Sequence, residues 1–153
     1  MSVPPGNRGK SPMQFIETGD RIEQRAMEVC RRWPKSFFFI ITQKTIQLAS
    51  EIYEHALKAN AILPKSEEER TLRILELEKA LGANYAFARK IERAYAMFPI
   101  CGEKKDVSLA AVQEKSNRVL QEFMTYCLEE EDSLKGNIHY TRNLDLTGKQ
   151  KST

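Results

Sequence analysis

From Ile74 to Phe98 the chain sets a residue for packing at every third or fourth position without a break: Ile74, Leu77, Leu81, Asn84, Ala88, Ile91, Tyr95 and Phe98. Steps of three and four follow the helical turn, so the stretch predicts one long helix with a continuous stripe and bundle-type packing. A stripe of that length cannot bury itself and needs neighbouring helices. The rest of the chain has to supply them.

Prolines mark where the neighbours begin and end. Upstream, Asp20-Arg21-Ile22-Glu23 has the spacing of a capping box, and Ile22, Ala26, Val29 and Trp33 follow at helical intervals. The first helix is therefore expected from Arg21 to Arg32, stopped by Pro34. Ser36 is the expected cap of a second helix reaching Ile62, with Phe38, Ile41, Thr45, Leu48 and Ile52 on one stripe and Ile46, Ala49, Tyr53 and Leu57 beside it. After Pro64, Ser66 caps the third helix, with Glu67, Glu68 and Glu69 where the helix dipole favours acids. Pro99 ends that helix, and Cys101 to Lys105 reads as a loop. A fourth helix, capped by Asp106 or Ser108, carries Val112, Val119, Leu120, Phe123, Cys127 and Leu128, with Gly136 as its C′ residue. Short links imply antiparallel neighbours. The expectation is an all-α, antiparallel up-down-up-down four-helix bundle over residues 20–136, between a flexible N-terminal segment (1–19) and a polar C-terminal tail (137–153).

A chain of 153 residues is the size of one domain. The longest apolar run, Phe37 to Ile41, is far shorter than a membrane span needs, and Met1 to Lys10 has no apolar signal region. Cys30, Cys101 and Cys127 are odd in number with no C-x-x-C pair, which fits free thiols in the cytoplasm better than disulfides or zinc. Charge is uneven along the chain. Residues 106–135 hold three basic against seven acidic residues, while the earlier helices are basic. That pattern suits self-association or a polyanion met by one face.

No constellation for chemistry stands out. The chain lacks a glycine-rich phosphate loop, a nucleophile elbow and a zinc-protease motif. Glu51 and His55 are one helical turn apart, but no second such pair exists to complete a di-metal bundle site. The run Glu129 to Asp132 reads as a solvated helix end, because consecutive helical acids point in different directions. No catalytic residue, metal site or cofactor is expected.

Two features point instead to binding. Arg21, Arg25 and Arg32 form a stripe along the first helix, and Lys79, Lys90 and Arg93 share a face of the third opposite its core stripe. Gly82, Ala83 and Ala86 lie between the latter three. A helix face that is small and basic lets another backbone come close, whether a neighbouring subunit or a phosphate chain. The first six residues are the candidate nucleic-acid or partner contacts, and the small trio is the candidate oligomer interface.

Arg32-Trp33-Pro34-Lys35-Ser36, followed by Ile46-x-Leu48-Ala49-x-x-Ile52-Tyr53 and Leu57-x-x-Asn60, resembles a four-helix-bundle family. That family contains the accessory variability determinant of diversity-generating retroelements and proteins encoded in intervening sequences of ribosomal RNA. The resemblance covers roughly Asp20 to Pro99, and its motif is structural. It implies a cytoplasmic, non-catalytic protein that forms a homo-oligomer, a pentamer in the family, and binds a reverse transcriptase and its template RNA to support mutagenic cDNA synthesis, with no membrane partner. The alternative is a stand-alone bundle that binds structured RNA or another protein without a polymerase.

Overall fold

The computed structural model describes residues 13–97 and 109–146, and among them every regular element is helical. The helices are α1 (Gln14–Cys30), α2 (Gln43–Ala61), α3 (Glu67–Met97) and α4 (Leu109–Arg142). The protein is an all-α four-helix bundle. Cross-helix pairs fall in antiparallel order. Arg25 meets Glu122 while Arg21 meets Tyr126; His55 meets Glu76 while Ala59 meets Arg73; Phe87 meets Phe123 while Arg73 meets Asn137.

The third helix starts where its cap places it. Ser66 Oγ accepts the Glu69 amide at 3.2 Å, which satisfies an otherwise orphaned donor of the first turn, and Glu69 Oε1 reaches back to accept from the Lys65 amide at 3.2 Å. Its buried stripe is wider than the single heptad row. Leu77, Ala80, Ala83, Asn84, Phe87, Ile91 and Ala94 are buried, whereas Leu81, Ala88 and Tyr95 are half-buried. The reason is that α3 packs against both α2 and α4, so two faces are covered instead of one.

The first helix begins earlier than the capping-box spacing suggests. Asp20 lies inside α1, where its Oδ2 accepts a bond from Gln24 Nε2, and caps nothing. Phe15, Thr18 and Gly19 continue the stripe of Ile22, Ala26 and Cys30 one turn further back, and burying them holds the extra turns. Gly136 likewise does not end α4. Ile138 and Thr141 extend the buried row of Phe123, Cys127 and Leu134, so tertiary packing carries the helix through the glycine to Arg142. The bundle therefore spans residues 14–142, and six residues assigned to the polar tail belong to it. The proposed Asp106 or Ser108 cap, the Cys101–Lys105 loop, Phe98 and the ends of both flanking segments lie outside the described residues.

Ser36 does not cap α2. Lys35–Phe37 form a 3-10 turn, followed by a π-helical turn over Phe38–Thr42 before the α-helix starts. A π turn holds one extra residue. Thr42 Oγ1 donates to the Phe37 carbonyl five residues back, and Thr45 Oγ1 donates to Ile41 at 2.7 Å. The extra residue rotates the start of the segment off the stripe. Ile41, Thr45, Leu48 and Ile52 are buried as their spacing predicts, but Phe38 is exposed together with Phe39 and Ile40. The turn itself is anchored by Trp33, which packs edge-on against Tyr95 at 5.8 Å.

The interior divides into two apolar clusters. One, nearest the α1–α2 turn, includes Ile22, Trp33, Ile52, Phe87 and Phe123; the other includes Phe15, Leu77, Leu134 and Ile138. Fully buried polar residues lie between them along the helices: Thr18 on α1, Asn84 on α3 and Glu130 on α4.

Leu77 has no exposed surface, so Leu77→Ala should cost about 2–5 kcal/mol in chemical denaturation. A Cβ at Gly136 would meet nothing within 4 Å, and an exposed mid-helix glycine costs about 1 kcal/mol against alanine. Gly136→Ala should therefore stabilise the protein by roughly that amount. Destabilisation would mean that the helix ends there.

Candidate nucleic-acid interface

The six basic residues singled out in the sequence do not behave alike. Arg25 is half-buried and committed within the bundle. Its Nε donates to Glu122 Oε1 and Oε2 at 3.0 and 3.1 Å, and one Nη lies 2.9 Å from Glu28 Oε1. Hydrogen bonding to Glu122 raises the Arg25 pKa, outweighing the cost of burial. Tyr126 donates its hydroxyl to Glu122 Oε2 at 3.0 Å, and the Arg21 guanidinium lies 5.7 Å from the Tyr126 ring centroid. Arg21 and Arg25 thus clamp α1 to α4. Both arginines are engaged with α4 inside the molecule, through Glu122 and Tyr126, which corrects the assignment of Arg25 as an outward-facing contact. Arg32 is exposed, with no ion-pair partner among the described residues.

On α3, Lys79 is exposed and lies 3.4 Å from Glu76 Oε2, while Glu76 Oε1 is 2.9 Å from His55 Nδ1. Burial pushes the Glu76 carboxyl up, but the bonds to His55 and Lys79 together outweigh it and hold the pKa below the usual range. His55 is therefore engaged across the α2–α3 interface with Glu76 and not with Glu51. Lys90 is half-buried and Arg93 exposed, and neither has an ion-pair partner among the described residues. The small trio splits. Gly82 and Ala86 are exposed with open space over Gly82, but Ala83 is buried in the core against the other helices. Ala83 cannot meet a second subunit.

Two features were not legible as sites in the sequence. The first is the α1–α2 corner. Phe38, Phe39 and Ile40 are exposed there, in a stretch where Arg31, Arg32, Lys35 and Lys44 are also exposed and no acid occurs between Val29 and Ser50. The signal was a five-residue apolar run, longer than one helical face can bury. The second is Glu130. It sits three residues after Cys127 and four before Leu134, on the buried stripe, although the acidic run around it reads as solvent-exposed. Both carboxyl oxygens lack a hydrogen-bond partner among the described residues, as does Asn84 Oδ1, whose amide nitrogen donates to the Cys127 carbonyl at 2.9 Å. Burial pushes the Glu130 pKa up to about 9, so the group is neutral at pH 7.

The remaining chemistry is sparse. Burial pushes the Cys30 and Cys127 thiols up to about 12, which leaves them protonated and poor nucleophiles. Among the described residues, no group of three or more His, Cys, Asp or Glu is placed to hold a metal ion. No helix of the described residues is long and apolar enough to cross a membrane. No protein-family model, curated protein or solved structure matches the chain.

The Glu130 pKa is raised on folding, so its contribution to stability is fully present below about pH 4.5 and is lost as pH rises towards 9. At pH 7 the loss from this group is about 3 kcal/mol, from 1.36 kcal/mol per pH unit. The stability of Glu130→Gln relative to the native chain should therefore increase steadily between pH 5 and 9, as read from urea midpoints. A constant difference would show that the carboxyl is already ionised.

Arg25→Gln should cost about 1–3 kcal/mol, because it breaks a charged hydrogen-bonded pair. Arg32→Gln should stay within ±0.5 kcal/mol, as exposed substitutions do. Equal effects would remove the distinction between clamp and surface.

Proposed function

We propose that the protein is a non-catalytic accessory component of a diversity-generating retroelement. It acts in the cytoplasm as a homo-oligomer, a pentamer by resemblance, that binds a reverse transcriptase and its template RNA and supports mutagenic cDNA synthesis. The observation that carries this reading is the end of the bundle around the Trp-Pro-Lys-Ser turn. There the residues of the family motif pack against α3 through Trp33 and Tyr95, and the exposed cations Arg31, Arg32 and Lys35 have no ion-pair partner among the described residues. Lys90 and Arg93 lie on α3 within five residues of Tyr95. Unpaired cations on a rigid frame fit phosphate contacts. Gly82 and Ala86, one helical turn apart on an exposed face, remain available for close approach by a second copy.

A stand-alone scaffold for structured RNA or another protein, with no polymerase, is favoured by one observation. Internal pairing of Arg21 and Arg25 leaves fewer cations for a polyanion than the sequence offers.

Replacing Arg32, Lys90 and Arg93 together with Gln should weaken binding to template RNA, alone or with the polymerase. The slope of log affinity against log salt should flatten by about 0.7–0.9 for each phosphate that is no longer neutralised. Sedimentation at micromolar concentration should show a discrete assembly that Gly82→Glu dissociates without loss of helicity. Unchanged affinity and slope would remove the nucleic-acid reading, and failure to co-purify a polymerase would favour the scaffold.

A further inference from the structure

We propose that the α1–α2 corner is a stacking platform for single-stranded nucleic acid, with Phe39 as its central contact; this deepens the RNA-binding reading and rests on it. Phe39 is 85% exposed, Ile40 65% and Phe38 42%. Three adjacent bulky apolar residues in water are costly, and exposed apolar clusters of this kind mark interaction sites. Their exposure is built in. The extra residue of the π turn swings them out while Ile41 and Thr42 on one side and Trp33 on the other stay buried, so the platform stands on a fixed base. Functional sites are where such turns recur.

The chemistry of the rim selects the occupant. Arg31, Arg32, Lys35 and Lys44 are all exposed, none has an ion-pair partner among the described residues, and no acid lies between Val29 and Ser50. The occupant therefore carries negative charge and apolar surface together. A single strand offers both, phosphates for the cations and base faces for the aromatic rings. A duplex hides its base faces in the stack and meets only the cations. Phe38 braces Phe39 edge-to-face, with centroids 5.0 Å apart and rings at 85°, which holds the exposed ring in place. Ile40 adds an apolar edge for a base or sugar. Along the chain, Arg31 and Arg32 at the end of α1 and Lys35 in the 3-10 turn precede the rings and Lys44 in α2 follows them, so exposed cations for phosphates bracket the apolar cluster in sequence.

The test is fluorescence anisotropy on the full chain with three labelled 12-nucleotide probes: oligouridylate, oligothymidylate and a duplex RNA. The native chain should bind the single strands more tightly than the duplex, and the uridylate–thymidylate difference tells RNA from DNA. Phe39→Ala should lower single-strand affinity about 5–100-fold, as loss of one stacked base does, leaving duplex affinity and the salt slope unchanged. Phe39→Tyr, which keeps the ring, should restore binding and shows that the effect is stacking. Arg31, Arg32 and Lys35 changed together to Gln should weaken all three probes and flatten the slope. The proposal is overturned if Phe39→Ala leaves single-strand affinity unchanged, or if duplex and single strand bind equally. It is also overturned if Phe39→Ala instead abolishes binding to phosphatidylserine vesicles or changes the sedimentation of the chain alone. If duplex and polymerase binding persist in those cases, the accessory function stands and only the platform falls. If no probe binds, both fall.

Discussion

An ideal Cβ at Gly19 would lie 2.9 Å from Glu130 Oε2, closer than such atoms approach, so a side chain at position 19 would displace the Glu130 carboxyl from the space it occupies beside α1. The same contact explains where the carboxyl of Glu130 goes. It enters the space a side chain at position 19 would fill, with Ile52 and the Tyr53 backbone of α2 close by, and so three of the four helices converge on it. A charged carboxylate without partners would be far too costly in that setting, and protonation is what makes the arrangement tolerable. The register of α1 on α4 is then shared between this contact and the Arg25–Glu122 clamp two turns away. A single polar group buried in a helical bundle can specify register at a cost in stability, and the layer of Thr18, Asn84 and Glu130 fits that role between two apolar clusters.

Part of the charge along the chain is matched across the helices. Glu122 of α4 pairs with Arg25 of α1, and Tyr126, bonded to Glu122, lies beneath Arg21, so two of the cations singled out in the sequence are engaged within one molecule. Cations without ion-pair partners among the described residues include Arg31, Arg32, Lys35 and Lys44 at the α1–α2 corner and Lys90 and Arg93 near the end of α3. The surface open to a partner is thus smaller and more localised than two stripes along two helices, and it combines cations with aromatic rings.

How much of this was legible in the sequence depends on whether the signal was local. The four helices, the Ser66 cap, the burial of Trp33 and the stripe of α2 beyond Ile41 follow from residue spacing alone. Two failures share one cause, tertiary contacts overriding a local signal. Asp20 and Glu23 have capping-box spacing, yet burial of Phe15 carries α1 back to Gln14. Gly136 is a good helix terminator, yet burial of Ile138 and Thr141 carries α4 past it. Ala83 reads as surface beside Gly82 because a one-faced stripe was assumed for a helix that packs on two sides. The π turn has no composition signature, so the exposure of Phe38 to Ile40 could not be read from spacing. Glu130 is the hardest case, since three acidic neighbours disguise a buried position that only the Cys127–Leu134 interval reveals.

The convergence of three helices on Glu130 requires its carboxyl to be neutral, and its protonation state can be observed without altering the chain. Selective 13C labelling of glutamate side-chain carboxyls, followed by NMR across pH, resolves each group as it titrates. One carboxyl should remain protonated at pH 7 and titrate near pH 9, well separated from the other glutamates. A spectrum in which every glutamate is ionised at pH 7 in the folded protein would contradict a neutral Glu130 at the centre of the bundle.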